Sequence, residues 1–134
     1  MRLLLDTHIL IWATLEDRRL PSIARELIND EDNMLFYSAV AMWEVAIRHA
    51  KRPDKLTVSA PDLMEFAAES GFYCLPLEER HTFLLDGLRY PASAPPHNDP
   101  FDRIMICQAK HEGMLFLTHD ALVAHYEEPC VFYV

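Results

Sequence analysis

Short apolar runs without polar alternation, each followed by a segment of helical spacing, constrain this chain more than any other feature. Residues 2–6 read R-L-L-L-D, residues 34–37 M-L-F-Y, residues 72–75 F-Y-C-L and residues 114–118 M-L-F-L-T, with a last run at 131–134. A run lacking alternation predicts a strand covered on both faces. Between the runs, Ile9, Leu10, Trp12 and Ala13 fall at helical steps over 7–15, and Pro21-Ser22 opens a helix to Ile28. Ser38 is placed to cap a helix reaching about Ala50, Ser59 and Pro61 open another that Gly71 closes, and 78–88 reads as a further helix. Asp99-Pro100 is a strong start signal for a helix to Glu112, with Gly113 as its stop. Residues 89–98 carry three of the nine prolines and read as a loop. Strands alternating with helices predict parallel strands joined by helical crossovers, an α/β fold with a central, mainly parallel sheet of four to five strands.

Along the third helix of this reading, Val40, Trp43, Ile47 and Ala50 form an apolar stripe, and Glu44, Arg48 and Lys51 form a second one. Leu63, Met64, Phe66 and Ala67 are expected to face inward in the next. A chain of 134 residues is expected to form one domain over 1–134, able to bury a core without disulfides. Cys74, Cys107 and Cys130 are odd in number, with no metal-type spacing, which fits reduced thiols in a cytoplasmic protein. Asp6 and His8 interrupt the first apolar run well before the length of a signal segment, and no stretch approaches the roughly 18 apolar residues of a membrane helix.

In a parallel α/β sheet, the carboxyl ends of the strands and the N-termini of the following helices share one edge, where ligands bind at the topological switch point. Asp6 ends the first run, Glu44 sits in the second turn after the second, Asp99 and Asp102 open a helix, and Asp120 follows the fourth run. All five can share that edge. Carboxylates converging to 4 Å repel by about 4 kcal/mol per pair at an effective dielectric near 20. Protonation or a divalent cation relieves this, and an oxygen-only donor set favours Mg²⁺, or Mn²⁺ in its place, over zinc. Metal-assisted phosphodiester hydrolysis is the natural use of such a site. Each acid also has a purely structural role open to it. Asp6, Asp99 and Asp120 suit helix caps, Asp102 suits a capping box, and Glu44 suits an i,i+4 pair with Arg48.

The blocks L-L-L-D-T-H-I-L-I-W, S-A-V-A-M-W-E-V-A-I-R, H-N-D-P-F-D-R-I-M-I-C-Q-A and G-M-L-F-L-T-H-D, in this order along nearly the whole chain, resemble the PIN-domain ribonucleases. The nearest likeness is to the VapC-like toxins of toxin–antitoxin systems. This resemblance implies a three-layer α/β/α sandwich and a Mg²⁺- or Mn²⁺-dependent endoribonuclease. Asp6, Glu44, Asp102 and Asp120 would be its metal-binding acids, Asp99 an accompanying acid and Thr118 the hydroxyl residue before the last acid. It further implies a cognate antitoxin and a homodimer. One departure is Asn98, where the subfamily usually carries a basic residue.

The formal net charge of -9, from 21 acids against 12 Lys and Arg, argues against a generic nucleic-acid binder. Acids gathered around metal ions remove that objection. Arg48, Lys51 and Arg103 are the candidate substrate contacts, within a basic cluster that continues to Arg52 and Lys55. Trp12, Trp43, Phe101 and Met105 are expected in the core, and His8, His97 and His119 beside the acids in supporting or surface roles. A non-catalytic binding module and a structure-specific DNA nuclease remain the alternatives. An aspartyl-phosphate mechanism is disfavoured, because its second acid, two residues after Asp6, is here His8.

Overall fold

The computed structural model describes residues 1–134, which form β1 (Arg2–Leu5), α1 (Thr7–Thr14), α2 (Ser22–Asn29), β2 (Met34–Ser38), α3 (Ala39–Lys51) and α4 (Ala60–Glu69). β3 (Tyr73–Leu75), α5 (Glu79–Thr82), α6 (Pro100–Glu112), β4 (Leu115–Thr118) and β5 (Val131–Tyr133) follow. The five strands are all parallel, in the order β3-β2-β1-β4-β5, with helices on both faces. The expected three-layer α/β/α sandwich is the one observed. In β1 the residues Leu3, Leu4 and Leu5 are each 0% exposed, so a run without alternation is covered on both faces, as its composition requires. Truncating one of them to Ala would cost about 2–5 kcal/mol.

The chain winds outward from β1 through β2 to β3, then returns to lay β4 and β5 on the other side. That reversal puts the switch point between β1 and β4, which pair Leu3 with Leu115 and Leu5 with Leu117. The local signals that start the helices next to this edge are all realised. Ser38 Oγ accepts the Val40 N–H at 3.0 Å at the head of α3. Asp99 Oδ1 accepts those of Phe101 and Asp102 at 2.8 and 3.3 Å at the head of α6. Gly113 ends α6 with φ +67°, the left-handed cap that glycine adopts without strain.

Four expectations are corrected. The helix expected over 78–88 is only α5, followed by a 3₁₀ turn at Leu85–Gly87. The Thr82 hydroxyl donates to the Glu79 carbonyl at 2.7 Å, competing with continuation of the ladder. The inward face of α3 is Val40, Ala41, Glu44 and Val45, whereas Trp43 is 61% exposed and packs edge-on against Phe101 at 5.1 Å. A 3.6-residue period admits two faces here, and the buried one includes an acid. In α4, Leu63 and Ala67 are buried, while Met64 and Phe66 stand in solvent. Asp120 caps no α-helix; its Oδ1 accepts the Leu122 N–H at 2.8 Å in a turn leading to a 3₁₀ segment at Val123–His125.

Candidate metal centre

Asp6 is the first residue past β1 and the N-cap of α1, and it is 3% exposed. Its Oδ1 accepts the Thr7 N–H at 2.6 Å, and its Oδ2 accepts the Thr118 hydroxyl, also at 2.6 Å. Thr118 thus ties the end of β4 to the end of β1 across the switch point. Burial is the largest influence on Asp6 and pushes its pKa up. The bonds from Thr118 and Thr7 only partly oppose it, and the charge of Glu44 adds to it.

Glu44 comes from α3 and is 2% exposed. The Thr7 hydroxyl donates to its Oε1 at 2.7 Å, and Arg48 Nη2 lies 2.6 Å from its Oε2. The i,i+4 pair foreseen from the sequence therefore exists. Its acid end is buried and faces the other carboxylates.

Asp102 occupies the first turn of α6. It closes no capping box; Oδ2 turns instead to His97 Nε2, 3.0 Å away. Burial, then the charges of Asp6, Asp99, Glu44 and Asp120, raise its pKa to about 9. His97, Asp102 and Asp120 bring ligand atoms within 4.8 Å of one another. Asp6 and Glu44 lie outside that tight group and act on Asp102 through their charge. Among these five acids, only Glu44 has an Arg or Lys partner within ion-pair distance.

His97 reaches the site from the 89–98 loop and is buried, so the surface role open to it from sequence is corrected. Its Nδ1 is 2.8 Å from the Tyr126 hydroxyl, to which Arg103 Nη1 donates at 3.0 Å. A guanidinium only donates, so the Tyr126 oxygen accepts from Arg103; the same hydroxyl shares a hydrogen bond with Nδ1, and Nε2 shares one with Asp102. Burial depresses the His97 pKa, which favours the neutral form of the ring. Tyr126 drew no notice in the sequence; its partners are 23 and 29 residues away. Arg103 is engaged with the ring and hydroxyl of Tyr126, apart from Arg48 and Lys51 on α3.

Asp6 and Asp120 open onto a cavity of about 220 Å³ lined also by His8, Trp12 and His119. His8 is exposed and Trp12 half-buried; Met105, by contrast, lies in the core as expected. The donor set is oxygen-rich, only Glu44 has a cationic partner, and the most crowded member holds its proton into the alkaline range. Those properties fit a hard divalent cation, which would replace the bound proton as counter-charge.

A parallel β3-β2-β1-β4-β5 sheet with acids gathered at its switch point defines a class. The PIN-domain family model matches residues 3–128, and the chain belongs to that family. Among solved structures, the fold is similar to that of a chain in the crystal structure of VapBC2 from Rickettsia felis bound to a DNA fragment from their promoter. The TM-score is 0.65 at 14% identity, over 100% of this chain and 98% of that one. No curated protein matches by sequence.

Proposed function

We propose that the chain is a Mg²⁺- or Mn²⁺-dependent endoribonuclease, the toxin of a toxin–antitoxin pair. The observation that carries this reading is the crowding of Asp6, Glu44, Asp99, Asp102 and Asp120 at the switch point, with Asp102 driven to a pKa of about 9. Asp6, Glu44, Asp102 and Asp120 would hold the cation, with Asp99 beside them. A bound Mg²⁺ or Mn²⁺ supplies charge neutralisation on the scissile phosphate and acidifies water toward in-line attack. Thr118 fixes the rotamer of Asp6, and His97 fixes that of Asp102 through its bond at Nε2. Arg48 and Lys51 hold backbone phosphate leading into the site. Arg103 serves as the anchor of Tyr126 and His97 more than as a phosphate contact. Water adds to phosphorus, the P–O3′ bond breaks, and the leaving 3′-oxygen takes a proton. The products are a 5′-phosphate and a 3′-hydroxyl.

Two partners complete the reading: a cognate antitoxin that places a basic side chain in the acidic cavity, and a second copy of the chain. Complementary charge favours the first, and exposed apolar side chains such as Trp43 and Phe83 favour burial against protein. No helix is long and apolar enough to cross a membrane. The testing experiment incubates the protein with labelled single-stranded RNA, single-stranded DNA and flap DNA, with Mg²⁺, with Mn²⁺ and with EDTA. Metal-dependent cleavage of RNA, lost in Asp102→Asn, is expected. Activity that survives EDTA or Asp102→Asn refutes the mechanism, and cleavage confined to flap DNA replaces the substrate.

A further inference from the structure

Five of the chain's twelve Lys and Arg side chains line one cavity of about 360 Å³: Arg19, Arg48, Lys51, Arg52 and Lys55. In a chain of net charge -9 such a concentration is not a solvated helix end alone. The cavity lies between α1, the C-terminal half of α3 and the 52–56 turn. Arg19, Arg48 and Arg52 each pair with one carboxylate, of Asp17, Glu44 and Asp54 respectively. Lys51 and Lys55 are exposed and have no carboxylate within 4.0 Å. These two cations are free for an anion from outside.

Trp12 and His8 line both this cavity and the acidic one, so the two adjoin. Arg19 already places its guanidinium 5.5 Å from the centre of the Trp12 ring, an arrangement that also suits stacking on a nucleobase. We infer that this cationic compartment is a nucleotide subsite: Lys51 and Lys55 take a backbone phosphate and Trp12 takes the unpaired base of a single-stranded RNA. The inference rests on the nuclease reading above and specifies its substrate as unpaired on this side. A volume of about 360 Å³ is at the lower end for small-molecule sites and suits one nucleotide. A duplex keeps its bases stacked inside and offers none to Trp12. An acidic peptide would satisfy the lysines too, but it brings no base for Trp12.

Trp12 makes the test direct, because Trp43→Phe leaves it as the only indole. The probe is adenosine 3′,5′-bisphosphate, which has no internal phosphodiester to cleave, with inorganic phosphate and a poly-glutamate peptide as separate arms. The bisphosphate is expected to quench Trp12 emission, and Lys51→Ala/Lys55→Ala to weaken its binding by about tenfold or more. With a single-stranded RNA hexamer, the slope of log K against log[salt] should become shallower by about 0.7 in the double variant, the value for one phosphate. Unchanged affinity and slope in the double variant overturn the subsite. So does quenching by the peptide with none by the nucleotide, or binding of inorganic phosphate as tight as that of the bisphosphate. Cleavage of RNA is measured on the same proteins. If wild type binds the bisphosphate through Lys51 and Lys55 but cuts nothing, the subsite stands and the nuclease reading falls. If it cuts RNA and the double variant keeps its KM, the reverse holds.

Discussion

Two clusters in this molecule each hold a histidine between two carboxylates, at opposite ends of α6, and they behave differently. At the head of α6, His97 stands with Asp102 and Asp120; near its tail, His81 stands with Glu78 and Glu112. Ten residues of helix put about 15 Å between Asp102 and Glu112. In the tail cluster Arg80 lies 3.0 Å from Glu78 and 3.1 Å from Glu112, and His81 Nε2 lies 2.8 Å from Glu112. The hydrogen bond from His81, helped by the charge of Arg80, holds the Glu112 pKa below its ordinary value. In the head cluster burial and four neighbouring acids push Asp102 the other way. Residue types and spacing alike suggest a metal at both ends. Charge balance separates them: the tail has its cation built in as Arg80, and the head has no Arg or Lys within ion-pair distance of Asp102 or Asp120.

The largest effect that sharpens this contrast is on cleavage. Asp102→Asn should lower the rate by about 10³-fold or more, as removal of an electrostatic stabiliser of the transition state does. Glu112→Gln should leave it within about twofold. Equal losses in a single-turnover assay would break the distinction. The pH dependence of stability comes next, and here the two ends have opposite signs. A carboxyl whose folded pKa lies above its unfolded value adds stability in full below the unfolded value and gives it up as pH rises. For metal-free protein, the Asp102 contribution therefore declines between about 3.8 and about 9. Glu112, with a lowered pKa, adds stability above its ordinary 4.5 and loses it as pH falls through the folded value. Thermal melts should thus show Asp102→Asn raising metal-free stability at pH 8 by about 1–2 kcal/mol. Glu112→Gln should lower it there.

Removing the histidines gives a smaller effect of the same kind. His97→Ala should weaken Mn²⁺ binding by about 10–100-fold, the range for groups that orient a metal ligand, while His81→Ala should leave it unchanged in the folded fraction. Tyr126→Phe removes only the hydroxyl bonded to His97 Nδ1, and a severalfold loss measured by calorimetry is expected. A loss as large as that of His97→Ala would mean that Tyr126 reaches the site by another route.

Much of the fold was legible because its signals are local. Leu3-Leu4-Leu5 is buried on both faces, and Ser38, Asp99-Pro100 and Gly113 mark helix ends by hydrogen bonds within four residues of themselves. The five acids were legible as a set because strand ends and helix starts share an edge in any parallel sheet. What escaped depends on distant partners. The inward face of α3 is decided by Thr7 reaching Glu44 across 37 residues, so an apolar count favoured Trp43 wrongly. His97 is buried only because its loop folds onto Tyr126, 29 residues ahead. The shortness of α5 follows from Thr82 and from His81 turning inward to Glu112. Arg19 joins the basic compartment through α1, far from Lys51 in the chain.

Isothermal calorimetry of Mn²⁺ binding at pH 7.5 to wild type, Asp102→Asn and Glu112→Gln tests the charge-balance account most directly. It predicts binding by wild type with release of a proton, because Asp102 gives one up, the same binding by Glu112→Gln, and none by Asp102→Asn. Wild-type protein that binds no Mn²⁺, or binding that survives Asp102→Asn and disappears in Glu112→Gln, would contradict it.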